Sequence, residues 1–262
     1  MEMDSTEYRV LKAVWKKNRG KRLPSAIQYR AAIKHPLPGT IRWLQTHPAP
    51  SLQDISDNYG SFSIAVLDFL DTYYRQYPVK IPDYLLGWLT GRALISRKQN
   101  GLMLRFSESD PYQIRLLKRL MPDLSITSSS HKNEVKDMRS FHYGRIFTLK
   151  HLWEPDIKAA FRATPDFVRG YMEGHSILQK VSSMDSYRLI LHGPLIESCR
   201  DYLISLGATP TSIYCSSGGH ARWNLHKKSV KVIFPMLYPE GVLCNLHFRS
   251  KIERLILKNT NV

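Results

Sequence analysis

Cys215, His220 and His226 are the donors of this 262-residue chain that could be drawn together as a metal site. Tetrahedral zinc needs four such ligands, and no second CxxC or HxxxH supplies the rest, so the spacing does not support one. The three cysteines (Cys199, Cys215, Cys244) are odd in number, suit a reducing compartment, and are expected to pack as small apolar side chains. The chemistry the chain does advertise is cationic. Lys and Arg total 38 against 22 Asp and Glu, a formal charge of +16, which draws polyanions and speeds their association. A basic run, Lys16, Lys17, Arg19, Lys21 and Arg22, opens the chain. No apolar run reaches the roughly 18 residues that span a bilayer, and the N-terminus lacks the apolar stretch of a signal peptide. A nucleic acid is therefore the expected partner rather than a membrane.

The elements that must position these charges fall into a helical segment and a duplication. Residues 1–75 read as helical and polar. Within them, 51–74 has the outline of a helix-turn-helix: Ser51 as N-cap, Ile55, Tyr59, Val66 and Leu70 packing about a turn at Gly60, and Ser61, Ser63, Ile64 and Leu67 on the second helix. Asp68 and Asp71 make that second helix anionic, and a plain helical hairpin is the equal alternative. Pro78 and Pro82 mark 76–83 as a connector.

Two stretches beyond it, YLLGWLTGRALI at 84–95 and FVRGYMEGHSIL at 167–178, each set two glycines four residues apart in an apolar helical run. Gly87 with Gly91, and Gly170 with Gly174, leave bare ridges that let two helices approach backbone to backbone, the logic of small-xxx-small pairs. Each stretch leads into alternating strands. Asn100-Gly101 signals a hairpin, after which Leu102, Leu104 and Phe106 alternate with Met103, Arg105 and Ser107. The second half answers with Tyr187, Leu189 and Leu191 against Arg188 and His192. An amphipathic helix follows each hairpin, the second closing on Gly207. GRIFTL from Gly144 is matched with ARWNLH from Ala221 as a later strand. Each half, 84–164 and 165–262, then reads helix, two strands, helix, two strands, helix.

LLGWLTGRA at 85–93 and VRGYMEGHS at 168–176 resemble the nine-residue motif that names the LAGLIDADG homing endonucleases, and the likeness of element order covers about 83–258. The resemblance implies an α/β (α+β) fold, a pseudo-symmetric duplicated αββαββα saddle over double-stranded DNA; residues 1–75 add a small all-helical domain before it, and the duplication favours a monomer. It also implies an acidic residue at the eighth position of each motif, the two carboxylates holding divalent metal between them. Those positions carry Arg92 and His175. Arg is cationic and cannot ligate, and His is a poor ligand for Mg²⁺. Thr90 and Glu173 hold the sixth positions. The expectation is therefore a chain with no catalytic residues, no metal and no cofactor, not an enzyme, in which Arg92 contacts a phosphate.

On the same resemblance the outward strand positions read DNA: Ser96, Lys98, Arg105 and Arg145 in the first half, Gln179, Arg188, Arg222, Asn224 and His226 in the second. Arg pairs with guanine and Asn or Gln with adenine in the major groove. Lys132, Lys136 and Arg139, on the connection before the fourth strand, are expected to hold phosphates, as is the N-terminal basic run. The leading expectation is a cytoplasmic, nucleoid-associated transcriptional regulator. The alternatives are a maturase clamping intron RNA and an active endonuclease with an unorthodox site.

Overall fold

The computed structural model describes residues 70–71, 74–98, 101–128, 135–181, 186–215 and 221–257. The expected helix-turn-helix lies outside them except for Leu70, Asp71 and Tyr74, and so do Lys16, Lys17, Arg19, Lys21, Arg22, Lys132 and the Lys98 side chain.

The element order repeats, with one further helix at the end of the second half. Helix α1 (Asp83–Leu89) leads into strands β1 (Leu94–Lys98) and β2 (Gly101–Glu108), helix α2 (Pro111–Leu120), strands β3 (Ser125–Ser128) and β4 (Lys136–Ser140), and helix α3 (Tyr143–Trp153). A 3-10 turn (Ile157–Ala160) precedes the repeat: α4 (Pro165–His175), β5 (Ser176–Val181), β6 (Ser186–His192), α5 (Ile196–Ser205), β7 (Tyr214–Cys215), β8 (Ala221–Leu225), α6 (Lys227–Leu237) and α7 (Leu246–Leu257). The strands form two four-stranded sheets ordered β1-β2-β4-β3 and β5-β6-β8-β7. The duplication and the α/β class expected from the sequence are both present.

The described chain falls into two compact units. One holds the described residues up to Lys80 with Ile95–Arg105 and Arg139–His151; the other holds Ile81–Leu94, Phe106–Met138 and everything from Leu152 on. In the first unit, Tyr74 stacks on Phe147 with ring centroids 6.3 Å apart, and the Val79 N–H donates to Thr148 Oγ1 at 3.1 Å. Asp71 accepts from Lys150 Nζ at 3.0 Å and lies 3.2 Å from His151 Nε2.

In the second unit the two motif helices form its centre. Thr164 caps α4 by accepting from the Phe167 N–H at 3.2 Å, and its hydroxyl donates to Asp83 at the start of α1 at 2.9 Å. A Cβ on Gly87 would stand 2.1 Å from the Phe167 carbonyl oxygen, and one on Gly170 only 2.0 Å from that of Tyr84. Nothing larger than hydrogen fits at either place. Gly174 is less extreme, at 3.0 Å from the Trp88 oxygen. Gly91 departs from the expectation. Helix α1 ends at Leu89, and Gly91 lies beyond it with φ +84°, against the Pro194 ring, so its role is the left-handed turn that ends the helix rather than a ridge on it.

Two strand assignments are corrected. GRIFTL is not a strand: Gly144–Leu149 lies within α3, where Tyr143, Ile146, Phe147 and Leu149 are buried at helical spacing. Arg145 is therefore a helical residue, its Nη1 donating to Ser140 Oγ at 3.1 Å. The fourth strand is β4, which carries Lys136 and Arg139 on itself rather than on a connection. Met103, expected outward, is buried (4 % exposed), so β2 is covered on both faces at that point. Cys199 and Cys244 are buried as expected, but Cys215 is exposed.

Candidate nucleic-acid interface

The second sheet shows most clearly how sequence alternation becomes a surface. Its antiparallel register places Leu178, Leu189 and Leu225 in one row, and Ser176, Leu191 and Trp223 in the next. Leu189, Leu191, Trp223 and Leu225 are at most 1 % exposed, and α5 and α6 lie against this sheet. Since neighbours along a strand point oppositely, the other face must carry the intervening residues. These are the rows Gln179–Arg188, Ile177–Ile190–Asn224 and His192–Arg222–Tyr214. Four of the expected readers, Gln179, Arg188, Arg222 and Asn224, are thus brought together on one face. His226 is not on the strand; it is the exposed residue preceding α6.

Side chains on this face already engage one another. Arg188 donates from Nε and Nη2 to Gln179 Oε1 at 3.1 and 2.8 Å, and the Tyr214 hydroxyl donates to Asn224 Oδ1 at 3.2 Å. Ile177 adds an apolar element, 49 % exposed. On the first sheet, Arg105 and Ser107 are exposed on β2, and Ser96 is half-buried on β1. Ser107 Oγ donates to Asp137 Oδ1 at 2.6 Å, an acidic neighbour that the sequence reading did not include. On β4, Arg139 shares its parity with Asp137, whereas Lys136 shares that of the buried Met138 and Ser140.

Arg92 and His175 stand at the ends of the two motif helices. Arg92 follows α1 and reaches α4: Nη1 donates to the Gly174 carbonyl at 2.8 Å, and Nη2 donates to the Ser107 carbonyl at 3.2 Å. Nη2 also lies 3.4 Å from Glu108 Oε2, and the guanidinium sits 4.9 Å over the Trp88 ring. A cation on the last carbonyls of a helix meets the negative end of its dipole, so Arg92 acts first as an interhelix cap. His175 is 3 % exposed, stacked on Tyr171 at 4.4 Å and edge-on to His192 at 5.8 Å. Burial, followed by His192 and then Arg92, pushes its imidazole down to about 3, so it is neutral at working pH.

A pair of divalent cations does not fit these residues. Glu108, the carboxylate beside Arg92, already accepts from the Ser109 and Asp110 N–H groups at 2.8 and 3.1 Å. Among the described residues no group of three or more His, Cys, Asp and Glu side chains is placed to share a metal ion.

Glu173 belongs to a buried polar cluster. Its Oε2 accepts from the Tyr84 hydroxyl in a short hydrogen bond and from the Asn245 N–H at 2.8 Å. Asn245 Nδ2 in turn donates to Asp110 and Gln113 at 2.7 and 3.0 Å. Burial pushes the carboxyl up to about 7, against the pull of these donors. Arg169, 1 % exposed, donates to the carbonyls of Leu243 and Leu237 at 2.8 and 2.5 Å and pairs with Asp166. Sequence reading missed Arg169; the only trace was a cation inside an apolar helical run.

The repeated αββαββα order and the glycine seam identify the architecture. The fold is LAGLIDADG-like. Solved structures similar to this chain include the homing endonuclease I-DmoI in complex with DNA and Mn, 18% identical, with 61% of this chain and 97% of that chain covered and a TM-score of 0.45. I-WcaI bound to its DNA recognition sequence is 12% identical over 71% of this chain and 91% of that one, TM-score 0.47. The LAGLIDADG meganuclease I-AabMI bound to uncleaved DNA is 13% identical over 66% and 88%, TM-score 0.44. No protein-family description matches the chain, and no curated protein does. These matches correct the expectation of a non-enzyme: the structures named are homing endonucleases or meganucleases, and the expectation is withdrawn. No helix among the described residues is long and apolar enough to cross a membrane.

Proposed function

We propose that this protein binds double-stranded DNA sequence-specifically through the outward faces of its sheets, as a monomer, and that it serves gene regulation at the nucleoid. The observation that carries the reading is the second sheet's outward face. There Gln179, Arg188, Arg222 and Asn224 occupy registered positions behind a face whose Leu189, Leu191, Trp223 and Leu225 are buried. Such a surface places hydrogen-bonding groups on a rigid scaffold, as base-edge readout requires. The charge of +16 supplies the sequence-independent attraction to phosphate. In this reading the basic run at Lys16–Arg22 adds further phosphate contacts. DNA bound in the similar solved structures agrees with the proposal.

The test is selection by the full-length protein from random and genomic duplex fragments in Mg²⁺, scoring retained fragments and fresh ends together. The reading expects one enriched duplex motif, with genomic copies lying upstream of coding sequences. Enriched cut ends would assign nuclease activity and remove the regulatory part. Retention of folded RNA in place of duplex would replace the reading altogether.

A further inference from the structure

The face of the second sheet is not a set of independent side chains, and the way they pair restricts what they can recognise. Gln179 on β5 and Arg188 on β6 are directly opposed across the strand pair. Both Nε and Nη2 of Arg188 donate to the single oxygen Gln179 Oε1. A guanidinium has donors and no acceptor, so it fixes which end of the amide faces it: the oxygen turns inward to the arginine and the NH₂ turns away. The usual pairing of glutamine with adenine needs one acceptor and one donor side by side. Here the acceptor is spent within the protein.

What remains to the pair is the Gln179 NH₂ and the Nη1 end of Arg188, all donors. The same polarity recurs nearby, where Asn224 Oδ1 accepts from the Tyr214 hydroxyl and its NH₂ is left over. Arg222, in the adjoining row, is again a donor without an acceptor.

We infer that Gln179 and Arg188 act as one unit that reads guanine, and that the second sheet selects a stretch of duplex rich in acceptor edges rather than adenines. In the major groove guanine presents two adjacent acceptors, O6 and N7, whereas adenine places a donor, N6–H₂, beside its N7. An all-donor pair meets both guanine acceptors and opposes the adenine donor. Gln179 is the positioning residue, since it holds the guanidinium plane, and Arg188 makes the bidentate contact. This inference rests on the proposed duplex binding and goes beyond it in naming the base.

The experiment is motif selection from random duplex DNA with the full chain, comparing wild type with Arg188→Ala, Gln179→Leu and Gln179→Glu. Each variant is first checked for an unchanged melting temperature. Both side chains lie on the partly open face of the sheet, so folding is not at risk. Wild type should favour guanine over adenine at one position by roughly 5- to 150-fold, the discrimination a good bidentate pair carries. Arg188→Ala should flatten that position alone, and Gln179→Leu should weaken it. Gln179→Glu, which brings in a second acceptor oxygen, should admit adenine or cytosine there. A motif unchanged in Arg188→Ala, or adenine favoured by wild type at the position the variants alter, overturns the inference and leaves duplex binding standing. Failure of wild type to enrich any duplex overturns the binding reading, and the inference with it.

Discussion

Gly170→Ala tests the seam on which the rest of the fold is built. A Cβ at this position would meet the Tyr84 carbonyl oxygen at 2.0 Å, its carbon at 2.8 Å and its Cα at 3.1 Å. These are backbone atoms, so no side chain can swing aside. Restoring ordinary contact near 3.4 Å requires α1 and α4 to part locally by more than an ångström. Overpacking against atoms that cannot yield costs about 3 kcal/mol, the upper part of the usual range. Alanine returns about 1 kcal/mol of helix propensity, leaving a net loss near 2 kcal/mol. For a domain of this size, that lowers the melting temperature by about 4–8 °C. Gly87→Ala should behave alike, and the double variant should lose less than the sum, because helices parted by one methyl partly accommodate the other. Gly241→Ala is the control. It has φ +76° but open space around it, so its only cost is the left-handed backbone, about 1 kcal/mol. Thermal unfolding of the four variants decides the matter. An unchanged or raised melting temperature for Gly170→Ala would refute the close approach.

Three further outcomes follow from the buried groups and the charge. Glu173 has its carboxyl raised from 4.5 to about 7 by burial, so the folded state holds its proton over a range where the unfolded chain has released it; stability should fall as pH rises from about 4.5 to about 7, by at most roughly 3 kcal/mol, and Glu173→Gln should lack this component in denaturant titrations across that range. Arg169→Ala leaves the carbonyls of Leu237 and Leu243 without their donor and should cost about 2–4 kcal/mol, read from the denaturant midpoint; a loss below about 1 kcal/mol would mean that water replaces the guanidinium. Duplex affinity should fall with salt at a log–log slope of about −0.9 for each phosphate neutralised, and a flat dependence would remove the electrostatic basis for binding.

The duplication was legible because its signals are local. Two glycines four apart, a hairpin dipeptide at Asn100-Gly101, and clean alternation within each of two strands, at Leu189 and Leu191 and at Trp223 and Leu225, each declare themselves within ten residues or so. GRIFTL misled because Ile146, Phe147 and Thr148 are residue types common in strands and six residues are too few to show a helical stripe, which Tyr143 and Lys150 complete only over a longer window. The true fourth strand, Lys136–Ser140, has Met138 as its one apolar residue and so offers little pattern to read. The roles of Arg92, Arg169 and Glu173 were illegible for another reason. Arg92 meets the Gly174 carbonyl, Arg169 that of Leu237 and Glu173 the Tyr84 hydroxyl, partners 68 to 89 residues away, and a single sequence does not show which distant group a buried charge will meet. Arg92 illustrates the consequence: its position in the motif gave no sign that its Nη1 would cap the neighbouring helix at the Gly174 carbonyl. The Gln179–Arg188 fork lies between these cases. Both residues were expected on the surface, but their pairing depends on strand register, which alternation alone does not fix.

The account stands on the outward sheet face being the surface that meets DNA. The most direct measurement is equilibrium binding of the selected duplex by wild type and by Arg188→Ala/Arg222→Ala/Asn224→Ala, at one salt concentration and with melting temperatures matched. With each lost base contact worth roughly 1–3 kcal/mol, specific affinity should drop by at least about a hundredfold while binding to unrelated duplex falls far less. Affinity for the selected duplex within about twofold of wild type would show that this face does not carry recognition.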